Sequence, residues 1–214
     1  MGVLHLVRHG QATGLEGAYD ELSDLGREQA RAVGAELVRR GVRPTRVITG
    51  ALARQRQTAA AAGLTGAVVD PRWDEYDHLA LLGALPAEAT ANIGRAPDPA
   101  RALQEMLDAA LARWVGADGG SYPEPWRVFR SRVRDALDDI DRGGSTVVVT
   151  SAGPISAVAA ALLGVPPEGW LALNRVMINT SITTVALGRS GASLLSVNDH
   201  AHVAGDGRRL LTYR

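Results

Sequence analysis

Three consecutive valines between threonines, Thr146-Val147-Val148-Val149-Thr150, restrict the fold more than any other stretch. β-Branched side chains on both faces suit a strand covered on both sides, and such strands occur in parallel sheets packed between helices. Leu4-His5-Leu6-Val7 and Arg46-Val47-Ile48-Thr49 read as companions, and Val68-Val69-Asp70 as a shorter one. Helical periodicity fills the gaps. Ser23 is placed to cap a helix carrying Ala30, Val33, Leu37 and Val38, which Gly41 ends. A second helix over 52–62 stops at Gly63. A glycine-proline turn follows the valine strand, then a helix over 155–163. Strands over 182–187 and 194–198 are joined by the turn Gly188-Arg189-Ser190-Gly191. The alternation predicts an α/β fold, a three-layer α/β/α sandwich with a mostly parallel central sheet.

Residues 76–125 break this rhythm. Glycine and proline punctuate them, helices are expected near 87–93 and 98–115, and seven acids face three arginines. They read as a slightly acidic helical insertion covering the sheet edge, within one domain spanning 1–214. The helix expected next, over 124–142, carries Trp126, Phe129, Val133, Leu137 and Ile140 on one face. That stripe belongs in a core rather than in a ligand box.

Charge is balanced, 23 arginines against 23 acids with no lysine, so no field favours nucleic acid or an anionic membrane. The absence of cysteine excludes disulfides, thiolate catalysis and Cys-based zinc sites. No apolar run approaches the ~20 residues that span a bilayer. The N-terminus enters a strand without the pattern of a signal peptide. The expectation is a cytoplasmic protein with neither nucleic-acid nor membrane partners. A homodimer is compatible with the sequence, although no residue pattern signals one.

The first strand runs directly into Arg8-His9-Gly10-Gln11-Ala12-Thr13. Gly10 permits a sharp turn and close approach of a ligand, and the carboxyl edge of an open α/β sheet is where ligands bind. An arginine fork matches phosphate oxygens, and a neutral imidazole beside it is a competent nucleophile. Further along come Tyr19-Asp20-Glu21-Leu22-Ser23, Leu25-Gly26, Gln29-Ala30 and the block Arg54-Gln55-Arg56-Gln57-Thr58-Ala59. Together these stretches resemble the signature of the histidine phosphatase (phosphoglycerate mutase-like) superfamily. The resemblance implies that His9 is the nucleophile and that Arg8 and Arg54 clamp the phosphoryl group, with Gln11 and Thr13 beside it. It places the proton donor at Glu75, within Arg72-Trp73-Asp74-Glu75-Tyr76-Asp77-His78; Asp74 and Asp77 are rivals, and His78 is a further phosphate contact. Free N–H groups at a helix N-terminus would support Arg54 in that role. Arg56 reads as surface.

One block departs from the resemblance. Where the superfamily continues its strand with Ser-His-Gly, this chain has Thr150-Ser151-Ala152-Gly153-Pro154, with alanine in place of the second histidine. Losing one oriented donor costs on the order of 10²–10³ in rate. Three explanations stand. Another group donates (Ser151, the backbone of Ala152 and Gly153, or one of His78, His200 and His202), catalysis is impaired, or the alanine was introduced in the laboratory. The first is preferred, because the opening segment resembles a branch that tends to carry a small residue here. His200 and His202 have a spacing that can hold a metal, but no third ligand joins them, so neither metal nor cofactor is expected. The expected activity is hydrolysis of a small phosphorylated metabolite through a phosphohistidine. A mutase of phosphoglycerate type and a phosphoester-binding module on a decayed scaffold are the alternatives.

Overall fold

Strand β1 (Gly2–Arg8) occupies the middle of the sheet in the computed structural model, which describes residues 2–13, 20–86, 98–117 and 122–213. On one side it pairs in parallel with β4 (Ser145–Thr150), Val7 opposite Val149. On the other it pairs antiparallel with β5 (Ile182–Gly188). β2 (Arg46–Thr49) lies parallel between β4 and the two-residue β3 (Val68–Val69), and β6 (Gly191–Asp199) closes the far edge against β5. The order is β3-β2-β4-β1-β5-β6, a mostly parallel sheet with an antiparallel hairpin at one edge.

Seven α-helices stand among the described residues: α1 (Asp24–Arg39), α2 (Ala53–Ala61), α3 (His78–Gly83), α4 (Pro99–Gly116), α5 (Trp126–Asp138), α6 (Ala152–Leu163) and α7 (Pro167–Val176). Period-2 alternation sorts the strands between two layers of them. Val7, Val147 and Val149 pack with Val33, Leu37 and Ala59 of α1 and α2. Leu4, Leu6 and Val148 face the opposite way, toward Phe129, Val133 and Ile155 of α5 and α6. The uninterrupted apolar strands are buried on both faces, as their composition requires.

The ends of the elements show where local signals held. Ser23 accepts the Gly26 N–H at 3.0 Å, and Gly41 (φ 71°) ends α1. Helix α6 begins three residues before the expected position 155, because Gly153 and Pro154 form its first turn, where a missing N–H costs no hydrogen bond. Helix α5 is shorter than the expected 124–142, running only from Trp126 to Asp138, although Ile140 beyond it is still buried. Helix α7 was not expected, since Pro166, Pro167 and Gly169 interrupt its periodicity; Pro167 in fact starts it, with φ already fixed for a helix. The helix expected at 87–93 lies outside the described residues.

The stripe on α5 is core. Trp126 and Phe129 stack with centroids 5.6 Å apart, Trp170 of α7 sits 4.6 Å from Trp126, and Trp114 of α4 lies 5.0 Å from it. Tyr76 joins Trp114 at 5.4 Å. Each such pair contributes about 0.5–1.5 kcal/mol beyond area burial. The cluster binds α4, α5 and α7 to the segment that precedes α3.

Candidate active site

The carboxyl ends of β1, β2 and β4 converge, and a cavity of about 240 Å³ opens above them. Its described lining includes Arg8, His9, Thr13, Arg54, Glu75, Tyr76, His78, Leu107, Ala152, Asn174 and Asn179. The turn at Gly10 is packed directly against the start of α1. A Cβ there would come within 2.4 Å of the Gly26 carbonyl oxygen, so no other residue fits without backbone movement. The His9 N–H donates to the Thr150 carbonyl at 2.9 Å, which continues the β1–β4 ladder into the site.

His9 is buried and its ring is held at both nitrogens. Nδ1 lies 2.7 Å from the Gly10 carbonyl oxygen and therefore carries the proton. Nε2 is left with its lone pair, toward which Arg54 Nε donates at 3.2 Å. Burial, with Arg54 and Arg8 nearby, pushes the His9 pKa well below 6.5. The imidazole is neutral and nucleophilic at Nε2.

Arg8 donates to the carbonyls of Met177 and Tyr213, so the C-terminal segment holds this guanidinium in place. Asn179 steadies the same turn: its Nδ2 donates to the His9 carbonyl at 3.1 Å, and Thr212 Oγ1 donates to its Oδ1 at 2.9 Å. Thr180, at φ 60°, gives its N–H to the Arg8 carbonyl at 3.1 Å.

Glu75 lines the same cavity as His9. Its carboxylate oxygens accept the Gly153 N–H at 3.1 and 3.2 Å, in the first turn of α6. Burial nonetheless raises its pKa above 4.5, against the opposing pull of Arg54 and the Gly153 N–H. A Cβ on Gly153 would stand 2.1 Å from Glu75 Oε1, so glycine is what admits the carboxyl here. Arg132 of α5 fixes the loop that carries it. Its guanidinium donates to the carbonyls of Arg72 (2.7 Å) and Asp74 (2.8 Å) and pairs with Glu124 at 2.5 Å.

The expectation of free N–H groups at the N-terminus of α2 is corrected. Asp74 Oδ1 accepts from Ala51 N at 2.6 Å, Gln55 Oε1 from Leu52 N at 3.3 Å, and Asp20 Oδ2 from Ala53 N at 2.6 Å. Asp20 Oδ1 also takes Arg54 Nη1 at 2.8 Å. The helix end orients Arg54 through carboxylates instead of offering bare amides to phosphate. Asp74 is thereby engaged in structure, and Asp77 caps α3 by accepting from Ala80 N at 3.0 Å.

His9, Arg8, Arg54, Glu75, Thr13, His78 and Ala152 are brought together. Gln11 and Ser151 do not line the cavity: Gln11 bonds Ser23, and Ser151 Oγ accepts from Gln55 Nε2 at 2.9 Å. His200 and His202 also lie outside its lining. His200 Nδ1 sits 2.6 Å from the Asn198 carbonyl and His202 Nε2 3.4 Å from Thr180 Oγ1. Arg56 is exposed. Sequence reasoning did not single out Asn174, Asn179, Leu107 or Arg132, and gave Asp20 no role beyond its place in the stretch 19–23. A buried polar run, Asn179-Thr180-Ser181, directly before β5 was a signal for the second of these. Among the described residues no three His, Cys, Asp or Glu side chains gather as a metal site would need, and no helix is long and apolar enough to cross a membrane.

This chain belongs to the histidine phosphatase superfamily, branch 1, whose family model matches residues 4–200. It is 27% identical over 204 residues to the mitochondrial serine/threonine-protein phosphatase Pgam5 of Caenorhabditis briggsae. That match covers 94% of this chain, which spans 64% of the relative's length. Among solved structures it resembles a mycobacterial glucosyl-3-phosphoglycerate phosphatase, determined as complexes with VO3, with TM-score 0.64 and 27% identity over 92% of this chain and 99% of that one. The fold is also that of Bacillus stearothermophilus YhfR, with TM-score 0.71 and 20% identity over 95% and 100% of the two chains.

Proposed function

We propose that the protein hydrolyses phosphomonoesters of small metabolites through a phosphohistidine at His9. The observation that carries this is a neutral His9 Nε2, bonded by Arg54 and sharing one cavity with Arg8 and a carboxyl whose pKa is raised. Arg8 and Arg54 hold the phosphoryl oxygens, which supplies the positioning and charge stabilisation that dominate phosphoryl transfer. Nε2 attacks phosphorus in line, the ester P–O bond breaks, and its electron pair leaves on the alkoxide oxygen, which takes the proton of Glu75. The imidazolium keeps its Nδ1 proton on the Gly10 carbonyl. Water then attacks the phosphohistidine and gives its proton to the Glu75 carboxylate, which restores the acid and the neutral His9 and releases phosphate.

Ala152 removes the histidine that would face the transferring group. Its share falls to Arg8, Arg54 and His78, whose imidazole burial and Arg54 hold below pKa 6.5. Residues 76–125 act as the cap in this account, supported by His78 and Leu107 from α3 and α4 in the cavity wall. Hydrolysis is favoured over mutation because the arginines of the described lining are the two at the phosphoryl end, and because relatives of 27% identity are named as phosphatases. The cytoplasm is the proposed compartment on composition alone; fractionation of a tagged chain decides, and gel filtration decides whether it is a homodimer.

Release of phosphate from p-nitrophenyl phosphate and a panel of phosphorylated metabolites tests the proposal. Turnover is expected in the native chain and a loss on the order of 10³ or more in His9→Ala. No turnover of any ester, with tight binding retained, would favour the binding-module alternative. Interconversion of phosphoglycerate isomers faster than phosphate release would favour the mutase.

A further inference from the structure

Asn174 sits on α7 and is 5% exposed, yet it lines the cavity. Its Nδ2 donates to the Tyr76 hydroxyl at 3.2 Å, while its Oδ1 is buried with no hydrogen-bond partner. Buried amide oxygens are almost always bonded, so an orphan one on a residue that lines a cavity calls for a donor that arrives with the ligand. Its position says which part of the ligand. A Cβ on Gly153 would reach Glu75 Oε1 at 2.1 Å and the Tyr76 ring at 2.9 Å, so the Tyr76 ring lies alongside the carboxyl that protonates the leaving oxygen. The Asn174–Tyr76 pair therefore meets the leaving alcohol, not the phosphoryl group. The described lining also includes Leu107, Ala152, Asn179 and His78, while Arg8 is held by the Met177 carbonyl and Arg54 donates to His9. Among the described residues no further arginine lines the cavity.

We propose that Asn174, with Tyr76, selects phosphomonoesters whose leaving group bears a neutral hydroxyl near the ester oxygen, that is, sugar or polyol phosphates. The inference rests on the phosphatase reading of the site. A hydroxyl donates to Asn174 Oδ1 and accepts from its surroundings, whereas a carboxylate only accepts and would face that oxygen as a like partner. A site built to bond a hydroxyl discriminates strongly against the analogue without one, since its own polar group is then left unpaired.

The experiment compares kcat/KM for glycerol 3-phosphate, n-propyl phosphate and the phosphate ester of 3-hydroxypropionate, which bears a carboxylate and no hydroxyl, with p-nitrophenyl phosphate as the activity standard, in the native chain, Asn174→Leu and Tyr76→Phe. The native chain is expected to prefer glycerol 3-phosphate over n-propyl phosphate by on the order of 10². It should also prefer glycerol 3-phosphate to the carboxylate ester. Asn174→Leu should bring the first ratio to within a few-fold of one, and Tyr76→Phe should lower it. Equal rates for glycerol and propyl phosphates in the native chain, or preference for the carboxylate ester, overturn the inference and need no variant. Failure to hydrolyse even p-nitrophenyl phosphate overturns the phosphatase reading beneath it.

Discussion

The pH behaviour of the site is set by two residues whose surroundings push them toward each other. Burial, with Arg54 and Arg8, lowers the His9 pKa well below 6.5, so the proposed nucleophile stays neutral in acid. Burial raises the Glu75 pKa above 4.5, so the proposed acid keeps its proton further toward neutrality. Activity needs the pH to lie above the first and below the second, and kcat/KM should peak on the acid side and fall as Glu75 deprotonates. Glu75→Gln should lose most activity and the alkaline limb with it. A native profile still rising through neutrality would contradict this assignment. Gly153 offers a sharper residue-scale test. Gly153→Ala places a methyl where Glu75 Oε1 now is, and a displacement of that size should lower kcat on the order of 10². The measurement is steady-state kinetics beside a thermal melt, which should show a folded protein.

At the scale of elements, α5 carries both the core and the acid loop. One face delivers Trp126, Phe129 and Val133 to the aromatic cluster. Arg132, next to that face, stands over the Phe129 ring at 4.7 Å and grips the carbonyls of Arg72 and Asp74. Arg132→Met leaves those carbonyls and Glu124 without the guanidinium and should cost about 1–3 kcal/mol of stability. Because the proposed phosphate clamp is untouched, kcat should fall while KM changes little. Arg132→Lys, a point charge in place of a fork, should rescue only part of it. Urea denaturation and kinetics on the same preparations check both, and a rise in KM alone would remove Arg132 from the positioning of Glu75.

Over the whole molecule, the two ends of the chain complete one site. Tyr213 reaches Arg8 across 205 residues, and Gln29, fully buried, ties the ends together. It accepts from Gln11 N and donates to the Leu210 carbonyl and Thr212 Oγ1, each at 2.7 Å. Gln29→Ala should cost roughly 2–4 kcal/mol, as several buried groups lose partners at once. It should also raise KM by loosening the C-terminal grip on Arg8; a stable variant with native KM would show that the tail is not needed. Such ties explain what was legible beforehand. Apolar strands declare themselves by composition, and residues at their ends, such as His9 and Arg54, are placed once the strands are. Asn174, Asp20 and Arg132 act through contacts 34 to 98 residues away in sequence, which no local pattern encodes. The amides at the N-terminus of α2 looked free for the same reason. The carboxylates that take them come from Asp20 and Asp74, on other segments.

The central claim is that His9 itself carries the phosphoryl group. Brief reaction with a ³²P-labelled phosphoester, an alkaline denaturing quench and peptide mapping read it directly. Acid-labile, alkali-stable label on the peptide containing His9, absent from His9→Ala and prolonged in Glu75→Gln, is the predicted result. Turnover by the native chain with no label on His9 under any quench would contradict it.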